Sequence, residues 1–146
     1  MKRKAIASSL LPFRDKLKTA SISLFMLIPN ADNAIIDIGK LRDYCLNPAH
    51  DKGKHKAKLF SSILGIKAEN AEELSQILFE VIRTHEAQLG KRDNYGQRYT
   101  LDFTIEWQNK RSTLRSSWII EYNVGVPRLT SCYPLKLNSR GNKNDK

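Results

Sequence analysis

The chain has 146 residues, 40% of them apolar, with 25 Lys or Arg against 15 Asp or Glu and a formal charge of +10. That length supports one compact core burying roughly two-thirds of the unfolded surface. The sign of the charge points to polyanionic partners, namely nucleic acid, an anionic membrane surface or an acidic inhibitor protein.

The charge is divided unevenly along the chain. Lys and Arg outnumber Asp and Glu 13 to 5 through Ala68, are outnumbered 1 to 5 from Glu69 to Gly90, and lead again 11 to 5 from Lys91 onward. An acidic central segment between two basic ones predicts a helix that faces away from a basic surface. No stretch approaches the ~18 apolar residues of a membrane span. Met1-Lys2-Arg3-Lys4 imitates the start of a signal peptide, but Pro12-Phe13-Arg14-Asp15-Lys16 ends the apolar run early, so residues 1–29 read as a basic N-terminal arm or linker. Cys45 and Cys132 lack metal-ligand spacing and read as free thiols, which fits a reducing, cytoplasmic compartment.

Pro29 to Asn33 is a turn before the first confident element. A short helix is predicted from Ile38 to Leu46, stopped by Asn47-Pro48 because a residue preceding proline is biased out of the helical region. Lys56, Leu59, Phe60, Ile63 and Leu64 recur at helical spacing, and Gly65 is placed to end that helix. A third helix is expected from Asn70 to Leu89, with Asn70 and Glu73 as a capping box, Gly90 as the stop and Leu74, Ile77, Leu78, Val81, Ile82 and Leu89 as the apolar stripe.

After Gly90 the apolar period changes to two, which predicts strands. Tyr99, Leu101, Phe103, Ile105 and Trp107 share one face of the first, with Arg98, Thr100, Asp102, Thr104 and Glu106 on the other. A turn at Asn109-Lys110 leads to a second strand with Leu114, Ser116, Trp118, Ile120 and Tyr122 inward and Arg115 and Ser117 outward. Asn123 to Pro127 turns the chain into a third, which alternation divides into Leu129, Ser131, Tyr133 and Leu135 against Arg128, Thr130 and Cys132. The expected fold is α+β, with N-terminal helices packed on an antiparallel β-meander of three to four strands. The domain spans residues 30–137, followed by a disordered tail over 138–146.

The chemistry these residues can perform is RNA cleavage. RNA supplies its own nucleophile, the 2′-hydroxyl, so the protein needs a base, an acid and cations aimed at the phosphate. His55 is of the type that titrates near neutrality, and flanking Lys54 and Lys56 favour a neutral imidazole that accepts a proton. Arg115 can clamp phosphate oxygens, Ser117 and Thr130 can donate to them, and Lys54, Lys56, Arg128 and Arg98 can bind the RNA backbone. The bland alternative for His55 is an exposed residue of a basic helix. His50 reads as a loop residue, and His85 is held as a second acid or base. No metal site and no cofactor is expected.

The segments Leu41-Arg42-Asp43-Tyr44-Cys45-Leu46-Asn47-Pro48, Gly53-Lys54-His55-Lys56-Ala57-Lys58-Leu59-Phe60, Leu114-Arg115-Ser116-Ser117-Trp118-Ile119 and Pro127-Arg128-Leu129-Thr130-Ser131-Cys132-Tyr133-Pro134 resemble a small uncharacterised bacterial domain family. Members of that family stand alone or end large adhesin-like and polymorphic toxins. The order of elements also resembles the metal-independent ribonuclease toxins that group barnase, colicins D and E5 and RelE-like toxins. The resemblance implies a toxin-type endoribonuclease, acting on RNA (tRNA among the candidates) in the cytoplasm of the producing or target bacterium. It also implies an acidic antitoxin or immunity protein as partner. A helix-borne His or Lys, an Arg on a strand and a Ser or Thr near the last strand would line the RNA face, here His55, Arg115 and Ser117 or Thr130. The competing readings are a non-catalytic nucleic-acid-binding module and an antitoxin or immunity protein of the same kind of locus.

Overall fold

The computed structural model describes residues 24–136. The fold is α+β: three helices pack on a five-stranded antiparallel sheet in simple meander order. The strands are β1 (Phe25–Met26), β2 (Ala87–Arg92), β3 (Gly96–Trp107), β4 (Lys110–Glu121) and β5 (Pro127–Pro134). Helix α1 (Ile38–Lys40) widens into a π-helical turn at Leu41–Cys45, and α2 (Lys54–Leu59) into another at Phe60–Leu64. Helix α3 covers Ala71–Thr84.

Two strands, β1 and β2, stand beside the three placed individually in the sequence, one more than the upper expectation of four, and each has a physical reason. The third helix was expected to run to Leu89, but it stops at Thr84, where His85 turns extended at φ −108° and ψ 144°. Ala87 is fully buried, and Gln88 and Leu89 pair with Thr100 and Tyr99, so the ladder of β3 overrides helical periodicity. The end of the expected arm, 24–29, supplies β1, which pairs with β2 through Phe25 and Met26, and places Ile28 in the core. The rest of that arm and the expected tail over 138–146 lie outside the described residues.

Caps and turns follow local chemistry. Gly65 ends the second helical segment at φ 77°, a conformation that favours glycine. Asn70 does not cap α3 with its side chain; its Oδ1 accepts from the Lys67 backbone N–H, and its Nδ2 donates to Glu73. The β3–β4 hairpin turns at Gln108 and Asn109, both with positive φ, one position earlier than expected. That matches the twist of the flanking strands.

The core lies between helices and sheet. Leu74, Leu78 and Ile82 of α3 join Leu101, Phe103, Leu114 and Trp118 of the sheet in one buried cluster, so the period-3.6 and period-2 stripes cover each other. Within it, Trp118 Nε1 donates to Ser116 Oγ (2.9 Å), and Ser116 Oγ donates to the Leu101 carbonyl (2.8 Å). A bulge opposite Ser117/Trp118 shifts the register of β5. Simple alternation put Tyr133 inward and Cys132 outward. In the structure Cys132 is buried opposite Ser116, and Tyr133 stands opposite Arg115 on the open face.

Candidate nucleic-acid interface

The turn before α2 decides which way its cations point. His50 Nδ1 accepts from the backbone N–H groups of Lys52 and Gly53, both at 3.0 Å, and the His50 carbonyl accepts from Lys54 N at 2.9 Å. An Nδ1 that accepts two bonds places the hydrogen of the neutral ring on Nε2. Gly53 packs so tightly on the Tyr44 backbone that a Cβ there would stand 1.8 Å from the Tyr44 carbonyl oxygen. The His50 ring meets the Tyr44 ring edge-on at 4.9 Å. This packing fixes the start of α2 against α1.

Successive helical residues diverge by about 100°, and so Lys56 and His55 serve different surfaces. Lys56 Nζ stands 5.6 Å from the centre of the Tyr44 ring and 5.5 Å from that of Tyr133, a double cation–π contact that carries α2 across to β5. Among the described residues no carboxylate pairs with it. Tyr133 in turn interacts with Arg115, its partner in register.

On the open face of the sheet Arg115 donates from Nε and Nη2 to the two carboxylate oxygens of Asp102, both at 2.9 Å. The bonded carboxylate raises the guanidinium above its ordinary pKa. Ser117 stands opposite Thr100 on one side and Ser131 on the other. The hydroxyls of Ser117 and Ser131 have no hydrogen-bond partner among the described residues, whereas Thr130 Oγ1 donates to the Ser117 carbonyl at 3.0 Å. Arg128 is paired with Glu121 at 3.1 Å and holds that carboxyl below its usual pKa. Arg98 is paired with Asp93 at 2.8 Å.

His55 is exposed and lines a cavity of about 740 Å³ whose other walls include Lys54, Lys58, Ser61, Ser62 and Lys67. Arg115, Ser117 and Thr130 do not line it. Of the expected set, the structure therefore brings Arg115, Ser117 and Thr130 together on one face and puts Lys56, rather than His55, at their border. His85 is exposed at the end of α3, its Nδ1 2.9 Å from Thr84 Oγ1 and its ring 6.5 Å from that of Phe103.

Sequence reasoning missed Tyr44, His50, Asp102 and Tyr133 as members of the cluster. The available signal was Ser131, a polar residue in the middle of a stripe assigned to the core, with Cys132 on the side assigned to solvent. Among the described residues no group of three or more His, Cys, Asp or Glu is placed to hold a metal ion, and no helix is long and apolar enough to cross a membrane. Burial raises the thiol pKa of both Cys45 and Cys132.

The chain belongs to the family described as a domain of unknown function, DUF6883, whose match spans residues 27–136 and so covers the helices and strands β2 to β5. Among solved structures it is similar to one chain of a contact-dependent growth inhibition toxin–immunity protein complex from Klebsiella pneumoniae 342. That likeness has a TM-score of 0.55 at 13% identity and covers 69% of this chain and 99% of that one. At such identity it shows a shared fold. A search of curated proteins finds no match.

Proposed function

We propose that this domain is a toxin-type endoribonuclease that cleaves RNA by attack of the substrate's own 2′-hydroxyl, without a metal ion. Its RNA-binding groove is the open face of the sheet where α2 meets β5. The observation that carries this reading is the position of Lys56: a helix-borne cation with no carboxylate partner among the described residues, held between Tyr44 and Tyr133 beside Arg115. It gives the helix-plus-strand pair of cations that phosphate chemistry needs, in the arrangement the toxin resemblance implies. In this groove Lys56 and Arg115 face the phosphate as its charge builds, and the unengaged Ser117 hydroxyl donates to a phosphate oxygen. The attacking 2′-hydroxyl gives up its proton to water as its bond to phosphorus forms, and Tyr133, beside both cations, protonates the leaving 5′-oxygen as that bond breaks. Support also comes from the charge of +10 and from the likeness in fold to a chain of a toxin–immunity complex. On this reading the natural inhibitor is a small acidic protein covering the groove.

A second reading has its own observation. Arg98, Arg115 and Arg128 are each paired with a carboxylate, which leaves the open face less cationic than the composition implies. That favours a module that binds a polyanion without cutting it. The two separate in one test: the pure protein is incubated with total RNA in EDTA and the products are analysed. Fragments ending in 2′,3′-cyclic phosphate and 5′-hydroxyl support the ribonuclease, and RNA that is bound yet stays intact supports the binding module.

A further inference from the structure

Arg98, Arg115 and Arg128 on the strands are tied to carboxylates, but a second group of cations is not. Lys54, Lys58 and Lys67 form no ion pair among the described residues, and all three line the 740 Å³ cavity with His55, Ser61 and Ser62. Lys54 and Lys58 are one turn apart on α2, and Ser61 and Ser62 follow one turn later on the same side. Lys67 lines the cavity as well, and among the described residues Glu69 is the one carboxylate of its lining. Beneath these groups the wall is apolar, with Leu46, Ala57 and Ile66 buried.

We propose that this cavity is a second nucleotide subsite, which takes one base on its apolar floor and the attached phosphate on its lysine rim. It deepens the ribonuclease reading, on which it rests for the identity of the strand, by giving α2 two working sides. Lys56 faces the groove where the chain is cut, and Lys54, His55 and Lys58 hold a nucleotide of the same RNA. The composition of the walls argues for a nucleotide rather than an acidic peptide. Carboxylates need only the lysines, whereas an apolar floor with two serine hydroxyls beside it matches the flat face and polar edge of a base. The volume is ample for one nucleotide unit. A pocket of this kind recognises a base without reading a duplex, which suits single-stranded or looped RNA.

The test uses the full chain labelled for NMR and titrated with adenosine and uridine monophosphates, inorganic phosphate and hexaglutamate. A mononucleotide should shift the His55 ring and the Ser61 and Ser62 amides, and should bind more tightly than phosphate alone. K58E with K67E should weaken it by about tenfold or more, since each removes a charge-assisted contact. R83A, on the exposed side of α3 and outside both sites, should leave it unchanged. K58Q with K67Q, which keeps side-chain bulk on an exposed wall, should weaken it in the same direction and guards against misfolding of the charge-reversed pair. Equal affinity for phosphate and nucleotide, or shifts confined to the sheet, would overturn the proposal. So would hexaglutamate binding where nucleotides do not, which would make the cavity a protein-docking site. Nucleotide binding with no RNA cleavage would leave the subsite standing and defeat the ribonuclease reading instead.

Discussion

Arg115 and Asp102 face each other across the β3–β4 ladder and share two parallel hydrogen bonds of 2.9 Å. The pair fixes the guanidinium on the open face, so a phosphate must compete with Asp102 for its donors. Asp102→Asn should therefore tighten RNA binding several-fold at low salt, and the gain should shrink as salt screens the extra charge. Fluorescence anisotropy with a labelled RNA across a salt series checks this. Affinity unchanged at low salt would mean that Arg115 does not meet the strand.

Ser116 is a buried polar residue with a defined task, since its hydroxyl accepts from Trp118 and donates to the Leu101 carbonyl. Ser116→Ala strands the indole N–H and should cost about 1–3 kcal/mol in urea unfolding. Adding Trp118→Phe should cost less than the sum of the two single changes, because the stranded donor leaves with the indole.

The legible part of the fold was what local periodicity controls. Leu101, Phe103, Leu114 and Trp118 read correctly as an inward stripe, and Gly65 as a helix end. The last turn of α3 did not, because Gln88-Leu89 continues a helical pattern and only pairing with Thr100 and Tyr99 makes it a strand. Tyr133 was assigned to the wrong face because one bulge in β5 inverts every later side chain. The candidate site was legible as residue types and not as a constellation. His55 and Lys56 are adjacent in sequence and serve different surfaces, a distinction set by the His50–Gly53 turn packing on Tyr44.

Asp93 accepts from Arg98 and from the backbone N–H groups of Tyr95 and Gly96, which lowers its pKa to about 2. A folded value below the unfolded one of ~3.9 means that its stabilising effect is complete above the unfolded value and is lost as pH falls through the folded one. Asp93→Asn should thus be less stable than the parent at pH 7. The difference should close between pH ~4 and about 2, as read by urea unfolding at each pH. A gap that persists at the lowest pH would assign the effect to something other than the carboxylate.

Burial raises the thiol pKa of both Cys45 and Cys132, that of Cys132 well above its ordinary value. Since the thiolate is the reactive form, neither should react with iodoacetamide at pH 8 in the native protein, and both should react once urea unfolds it. Mass spectrometry after timed labelling reads this directly. Rapid native labelling of Cys132 would mean that β5 separates from α1 far more readily than its packing implies.

Lys56 is the helix-borne cation on which the proposed RNA-cleaving groove depends, and one comparison tests that role most directly: the single-turnover rate of RNA cleavage in EDTA for the parent, Lys56→Ala and Lys54→Ala. Loss of a donor that acts on the developing charge should lower the rate by about 10²–10³ in Lys56→Ala. Lys54→Ala, altered on the other side of the same helix, should cleave bound RNA at close to the parental rate. Parental cleavage by Lys56→Ala, or no cleavage by the parent, would contradict the assignment.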